Sequence, residues 1–131
     1  MKRNLKIDEL SIVIPVYNEG KNIKKLWLEI KGCLDLKKLE IIFVDDDSKD
    51  KTAKILKQIN KVDKKVKFVI RKNKVKDLSK SCLLGFENSN YKYILVMDGD
   101  LQHDPKYIEK FIDKFNMSSS DIIVGCRDFF C

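Results

Sequence analysis

Glycine is scarce in this chain, five in 131 residues, and proline scarcer still, with two. No G-x-G-x-x-G turn follows the first apolar run and no G-x-x-x-x-G-K-[ST] loop occurs anywhere, which sets aside the dinucleotide-binding dehydrogenases and the P-loop nucleotidases. A Pro/Gly-rich linker, an internal repeat and a low-complexity tract are also missing, so residues 1–131 read as one domain able to bury a sizeable core. No apolar run approaches the roughly 18 to 20 residues of a membrane-spanning helix, and the charged start "MKRNLKIDEL" lacks the apolar stretch of a signal peptide. A cytoplasmic location is the expectation. Cys33, Cys82, Cys126 and Cys131 form no C-x-x-C pair and have one histidine in the whole chain for company, which argues against structural zinc. Without a secretory signal they are expected as reduced thiols, Cys82 and Cys126 as small core residues.

What the chain has is positive charge, a net +7, unevenly spread. Residues 1–80 hold 22 Lys/Arg against 12 Asp/Glu, and residues 81–131 hold five against eight. The lysines are scattered along helical faces and not interleaved with aromatics, so a solvated surface is preferred to a nucleic-acid footprint, and no nucleic-acid partner is expected.

Apolar and β-branched runs recur at 10–17, 40–45, 66–70, 91–97 and 121–126, near-continuous as strands buried on both faces of a parallel sheet would be. Between them lie helical stripes: Ile23, Leu26, Trp27, Ile30 and Leu34; Ala53, Leu56 and Ile59; Leu78, Cys82 and Phe86; and Ile108, Phe111, Ile112 and Phe115. Asp104 is placed to cap the last of these, with Pro105 at its first position. Four strand–helix units closed by a fifth strand predict an α/β fold, an open, mostly parallel sheet with helices on both faces. Ligands of such sheets bind beyond the carboxyl ends of the strands, where strand order reverses.

Polar clusters stand at those ends. After the first strand comes "PVYNEG", where Pro15 is expected to break a regular ladder and Tyr17 either stacks on a flat base or packs on a loop. After the second comes "DDDSKD", in which Ser48 or Asp50 could cap a helix while Asp45 needs a partner for its charge. After the third, "RKNKVKDLSKS" forms a basic rim fit for phosphate. After the fourth, "VMDGDLQHDP" brings Asp98 and Asp100 around Gly99, which is read as removing bulk where a ligand comes close. Two carboxylates so near repel one another unless a cation joins them, and hard oxygens at that spacing suit Mg2+ or Mn2+ beside a diphosphate.

In this order, "SIVIPVYNEGKNI", "IIFVDDDSKDKT", "DLSKSCLLGF" and "VMDGDLQHDP" resemble the inverting glycosyltransferases of family 2, with the GT-A fold, and most of all the polyprenyl-phosphate sugar transferases of the dolichol-phosphate mannosyltransferase type. The resemblance runs from Leu10 to Arg127. It implies transfer of a hexose from GDP-mannose or UDP-glucose to a dolichyl or undecaprenyl phosphate, at or near the inner face of a membrane. It further implies that Pro15, Tyr17, Asn18, Glu19, Asp46, Arg71, Leu78, Ser79, Asp98 and Arg127 contact the nucleotide sugar. Asp98 and Asp100 would be the catalytic pair, holding Mg2+ or Mn2+ with Gln102. Departures from the pattern are Asp47 and Asp77, where glycine is frequent, and Gly99, where alanine is common. His103 is expected to bond a loop and not to act as a base. Members of this type continue well past "VGCRDFFC", so the donor half is expected complete and the acceptor half absent. A nucleotide-sugar-binding module without transfer activity, and a family 2 transferase with a saccharide acceptor, are the alternatives.

Overall fold

The computed structural model describes residues 6–72 and 74–126. Strands β1 (Glu9–Val16), β2 (Lys38–Asp45), β3 (Val66–Ile70) and β4 (Ile94–Val96) alternate with helices α1 (Gly20–Cys33), α2 (Thr52–Val62) and α3 (Leu78–Glu87). Helix α4 (Ile108–Met117) follows, entered through a 3₁₀ turn at Pro105–Tyr107, where the Asp104 carboxylate accepts the N–H of Lys106. The sheet is wholly parallel, in the order β3-β2-β1-β4.

Alternation sorts the side chains. Ile12, Ile14, Ile41 and Phe43 face α1, α2 and α4 and meet Ile23, Leu26, Ile30, Leu56, Ile59 and Ile108 in the main core. Val13, Ile42 and Val44 face the opposite way, toward Leu84 of α3. Helices therefore lie on both faces, as expected, but unequally.

Pro15 does not interrupt β1, which pairs with β2 through Pro15 opposite Val44. Ser11 N and Val13 O point to β4, so the missing N–H of Pro15 points the same way, beyond the last ladder pair at Val13–Val96, and no ladder bond is lost.

The stripe expected on α3 is also wrong: Leu78 and Phe86 are exposed and Cys82 is half-buried, while Ser81 and Gly85 face the sheet. A Cβ on Gly85 would stand 2.3 Å from Val13 Cγ1, so the helix rides too close to β1 for a larger residue. Nor is Cys126 a core residue; it is exposed.

The fifth strand is absent. Residues 122–126 carry no strand, and Ile122 and Val124 are 78% and 74% exposed. The segment turns back over α4, where Gly125 comes so close that a Cβ would meet the Phe111 ring at 2.5 Å. The segment packs against α4 and leaves the outer edge of β4 unpaired among the described residues. β4 itself keeps only three of the seven residues expected, with Ile94 and Val96 uncovered because α3 lies over β1 and β2.

Candidate functional site

With the order β3-β2-β1-β4, the connections leave β1 in one direction and reach β4 in the other, so strand order reverses between β1 and β4. The loop after β1 and the turn after β4 flank that crevice, and the loop after β2 borders it.

The first two βα loops are laced together. Asn18 adopts φ +53°, its side-chain oxygen accepts the N–H of Lys49 and Asp50, and its own N–H donates to the Ser48 hydroxyl. Glu19 N donates to Thr52 Oγ1 and Gly20 N to Asp50 Oδ2. Asp50 also accepts from both N–H and hydroxyl of Thr52, so Asp50 and not Ser48 serves the start of α2. Ser48 instead turns back on Asp45, whose other carboxylate oxygen is buried without a hydrogen-bond partner among the described residues. Asn18 and Glu19, expected against the nucleotide, thus spend these groups on architecture. Sequence reasoning missed the lock because its partners lie some thirty residues apart. Asp47, at φ +60°, occupies the backbone conformation that explains a frequent glycine there.

The left-handed geometry gives a test. Asn18→Ala is expected to cost about 1–2 kcal/mol in urea unfolding, since it loses the acceptor and strains the backbone, and Asn18→Gly less, since glycine tolerates positive φ. Equal losses would mean that the backbone conformation contributes nothing.

The third loop hangs on a buried ion pair. Arg71 and Asp46 are 6% and 5% exposed and meet directly through Nη1 and Oδ1. Asp46 Oδ2 accepts the N–H of Asp77 at 2.7 Å, and Arg71 Nη1 reaches the Asp77 carbonyl at 3.4 Å. Asp77 caps α3 by accepting the N–H of Lys80, which accounts for a carboxylate where glycine is frequent. Leu78 and Ser79 follow as the first, exposed residues of that helix. Next to this anchor Lys76 reaches back over Tyr17, its Nζ 4.1 Å from the ring centroid. The basic composition of the rim signalled cations here, but not which one.

After β4 the chain makes a tight turn. Asp98 is exposed and Asp100 half-buried; Asp100 Oδ1 accepts the N–H of Gln102, and Leu101 adopts φ +66°. His103 Nδ1 accepts the N–H of Asp98, and its Nε2 lies 3.6 Å from the Asp98 carboxylate, so the imidazole ties the turn together as expected. Gly99 makes room for the sheet: a Cβ would stand 2.6 Å from Val16 Cγ1. The turn lies near α3, where burial and then the Asp98 charge push the Cys82 thiol pKa up. Among the described residues no group of three His, Cys, Asp or Glu side chains converges, so Asp98 and Asp100 cannot cage an ion by themselves. Two accessible carboxylates do fit a hard cation that takes the rest of its shell from phosphate and water. Arg127 lies outside the described residues.

The site thus joins Tyr17, Asp46, Arg71 and the start of α3 through shared contacts on one side of the crevice, and Asp98, Asp100 and Gln102 in one turn on the other. The model of Glycosyl transferase family 2 matches residues 11–131. A dolichol-phosphate mannosyltransferase from Pyrococcus furiosus is 38% identical over 119 residues, 91% of this chain and 33% of the relative. An undecaprenyl-phosphate 4-deoxy-4-formamido-L-arabinose transferase from Pseudomonas aeruginosa is 33% identical over 110 residues, 82% of this chain and 32% of the relative. The chain spans about a third of the length of each. Among solved structures, a mannosyltransferase from Pyrobaculum calidifontis in complex with GDP-Man and Mn2+ superposes with a TM-score of 0.64 at 17% identity, covering 74% of this chain and 28% of that one, a likeness of fold.

Proposed function

The chain belongs to glycosyl transferase family 2, and from that premise we propose that it forms the donor-binding part of an inverting transferase that moves a hexose from a nucleoside-diphosphate sugar to a polyprenyl phosphate. The observation that carries the reading is the Asp98–Asp100 turn, set at the strand-order reversal opposite Tyr17. The names of the two relatives, both transferases of polyprenyl phosphates, support the acceptor class.

Asp98, Asp100 and Gln102 would hold Mg2+ or Mn2+, which when bound supplies Lewis-acid stabilisation of charge on the leaving diphosphate. The chain's own residues do the rest. Arg71 and Asp46 fix the loop that leads into α3, Tyr17 offers a flat face for the base, and His103 holds the carboxylate turn in shape. No general base is assigned, because a phosphate oxygen is already anionic near neutral pH and attacks without losing a proton to the protein. Polyprenyl phosphate implies work at a membrane surface. No helix among the described residues is long and apolar enough to cross one, and the basic surface supplies electrostatic attraction to it.

Calorimetric titration of GDP and UDP, each with and without Mn2+, tests the donor site. Metal-dependent binding of one of them is expected, weakened about 100-fold or more in Asp100→Ala, since even outer-shell groups change metal affinity 10- to 100-fold. Indifference of both nucleotides to the metal and to the substitution would end this reading. Binding followed by no transfer to a polyprenyl phosphate would favour a binding module.

A further inference from the structure

Lys76 holds an unusual position for a surface lysine. It is exposed, yet among the described residues its ammonium pairs with no carboxylate and rests on the face of Tyr17 at 4.1 Å. Its main chain is not free to drift, because the next residue is pinned twice: Asp77 N to Asp46 Oδ2 and Asp77 O to Arg71 Nη1. A buried ion pair thus aims the ammonium at the end of the central strand, one strand away from the Asp98–Asp100 turn.

Building on the donor reading above, we propose that Lys76, which rests on Tyr17, is a diphosphate ligand, and that its transfer to the phosphates uncovers the ring on which the base stacks. The exchange is chemically favourable. An ammonium on a half-buried ring makes a modest contact, whereas charge-assisted hydrogen bonds to phosphate are among the strongest polar contacts a side chain can make. It also explains how one aromatic face serves two cations-or-base occupants in turn: the ring stays covered until a ligand carrying both a base and a diphosphate arrives. A nucleoside without phosphates would have to displace the lysine with no return, so the arrangement selects for the charged ligand.

The test uses the full chain with GDP and UDP in the presence of Mn2+. Lys76→Gln is expected to weaken binding of the preferred diphosphate about tenfold, while Lys57→Gln, on the exposed face of α2, leaves it unchanged. In carbon-resolved NMR spectra the Lys76 side-chain methylenes should show an upfield ring shift that disappears at saturating nucleotide and in Tyr17→Leu. Unchanged affinity in Lys76→Gln, or a ring shift that survives saturation, would overturn the proposal while leaving the donor reading intact. Absence of nucleotide binding by the unsubstituted chain would overturn both.

Discussion

Arg71→Met is expected to lower the free energy of unfolding by about 3–5 kcal/mol, the usual consequence of removing one member of a buried ion pair and leaving the other charge unpaired. Among the described residues Asp46 would keep only the N–H of Asp77, at a place with almost no water to replace the guanidinium. The double variant Arg71→Met with Asp46→Leu should lose much less than the sum of the two single changes, since the pair costs desolvation that an apolar replacement avoids. Urea denaturation of the four proteins measures this directly. A single-variant loss below about 1 kcal/mol would show that the pair is not buried in solution, because exposed pairs contribute that little. With the pair goes the anchor of residues 71–77, so nucleotide affinity should fall in the single variants in parallel.

Glu40 should show the second large effect, at the opposite edge of the sheet. It is a buried carboxylate on β2 that accepts from the Ser11 hydroxyl, the Lys67 ammonium, and the backbone and side-chain amides of Asn90. Burial opposes its ionisation, but these donors, the Asn90 N–H first and then Lys67, outweigh it and hold the pKa below the usual carboxylate range. A group whose pKa is depressed by folding stabilises the fold above its unfolded value, about 4.3 for a glutamate, and loses that contribution as pH falls through the folded value. Glu40→Gln is therefore expected to cost about 2–4 kcal/mol at pH 7, because the new amide turns a donor toward donors, and the gap from the parent should narrow at pH 3. Asp50 and Asp63 are also held low, burial opposing in each case and hydrogen bonds from Thr52 and from Trp27 leading the donors that prevail. Both proteins will then lose stability in acid, and only their difference reports on Glu40. A difference that does not change between pH 7 and pH 3 would remove the carboxylate from the explanation.

How far the sequence could be read depended on whether the deciding partners were local. β1 and β2 are covered on both faces, so their unbroken apolar runs say what they are. The run at 121–126 has the same look and forms no strand, because it packs against α4 and an apolar pattern does not say which partner a segment takes. The buried face of α3 was hidden for a different reason: it consists of Ser81 and Gly85, small residues that produce no hydrophobic period, while Leu78 and Phe86 do so on the outside. At the site, polar clusters at strand ends were legible from position alone. Which of their members are free to meet a ligand was not, since the lock of Asn18 and Glu19 on Ser48 and Thr52 is a long-range fact. The ion pair of Arg71 with Asp46 is another, between residues 25 apart in the chain.

The three-residue ladder of β4 has a consequence for how the molecule opens. Its pairing with β1 joins segments some 80 residues apart, on the side of the sheet where α3 gives no cover and no further strand follows among the described residues. Fluctuations that release this seam uncover Met97, Leu95 and Tyr93 but leave β1, β2 and β3 together, so they are easier than global unfolding. The carboxylate turn rides on the part that lets go first. A ligand that touches Tyr17 and Asp98 at once would close the seam from outside, and its binding energy would appear as slowed amide exchange in β4 well before it raised the melting temperature of the whole chain.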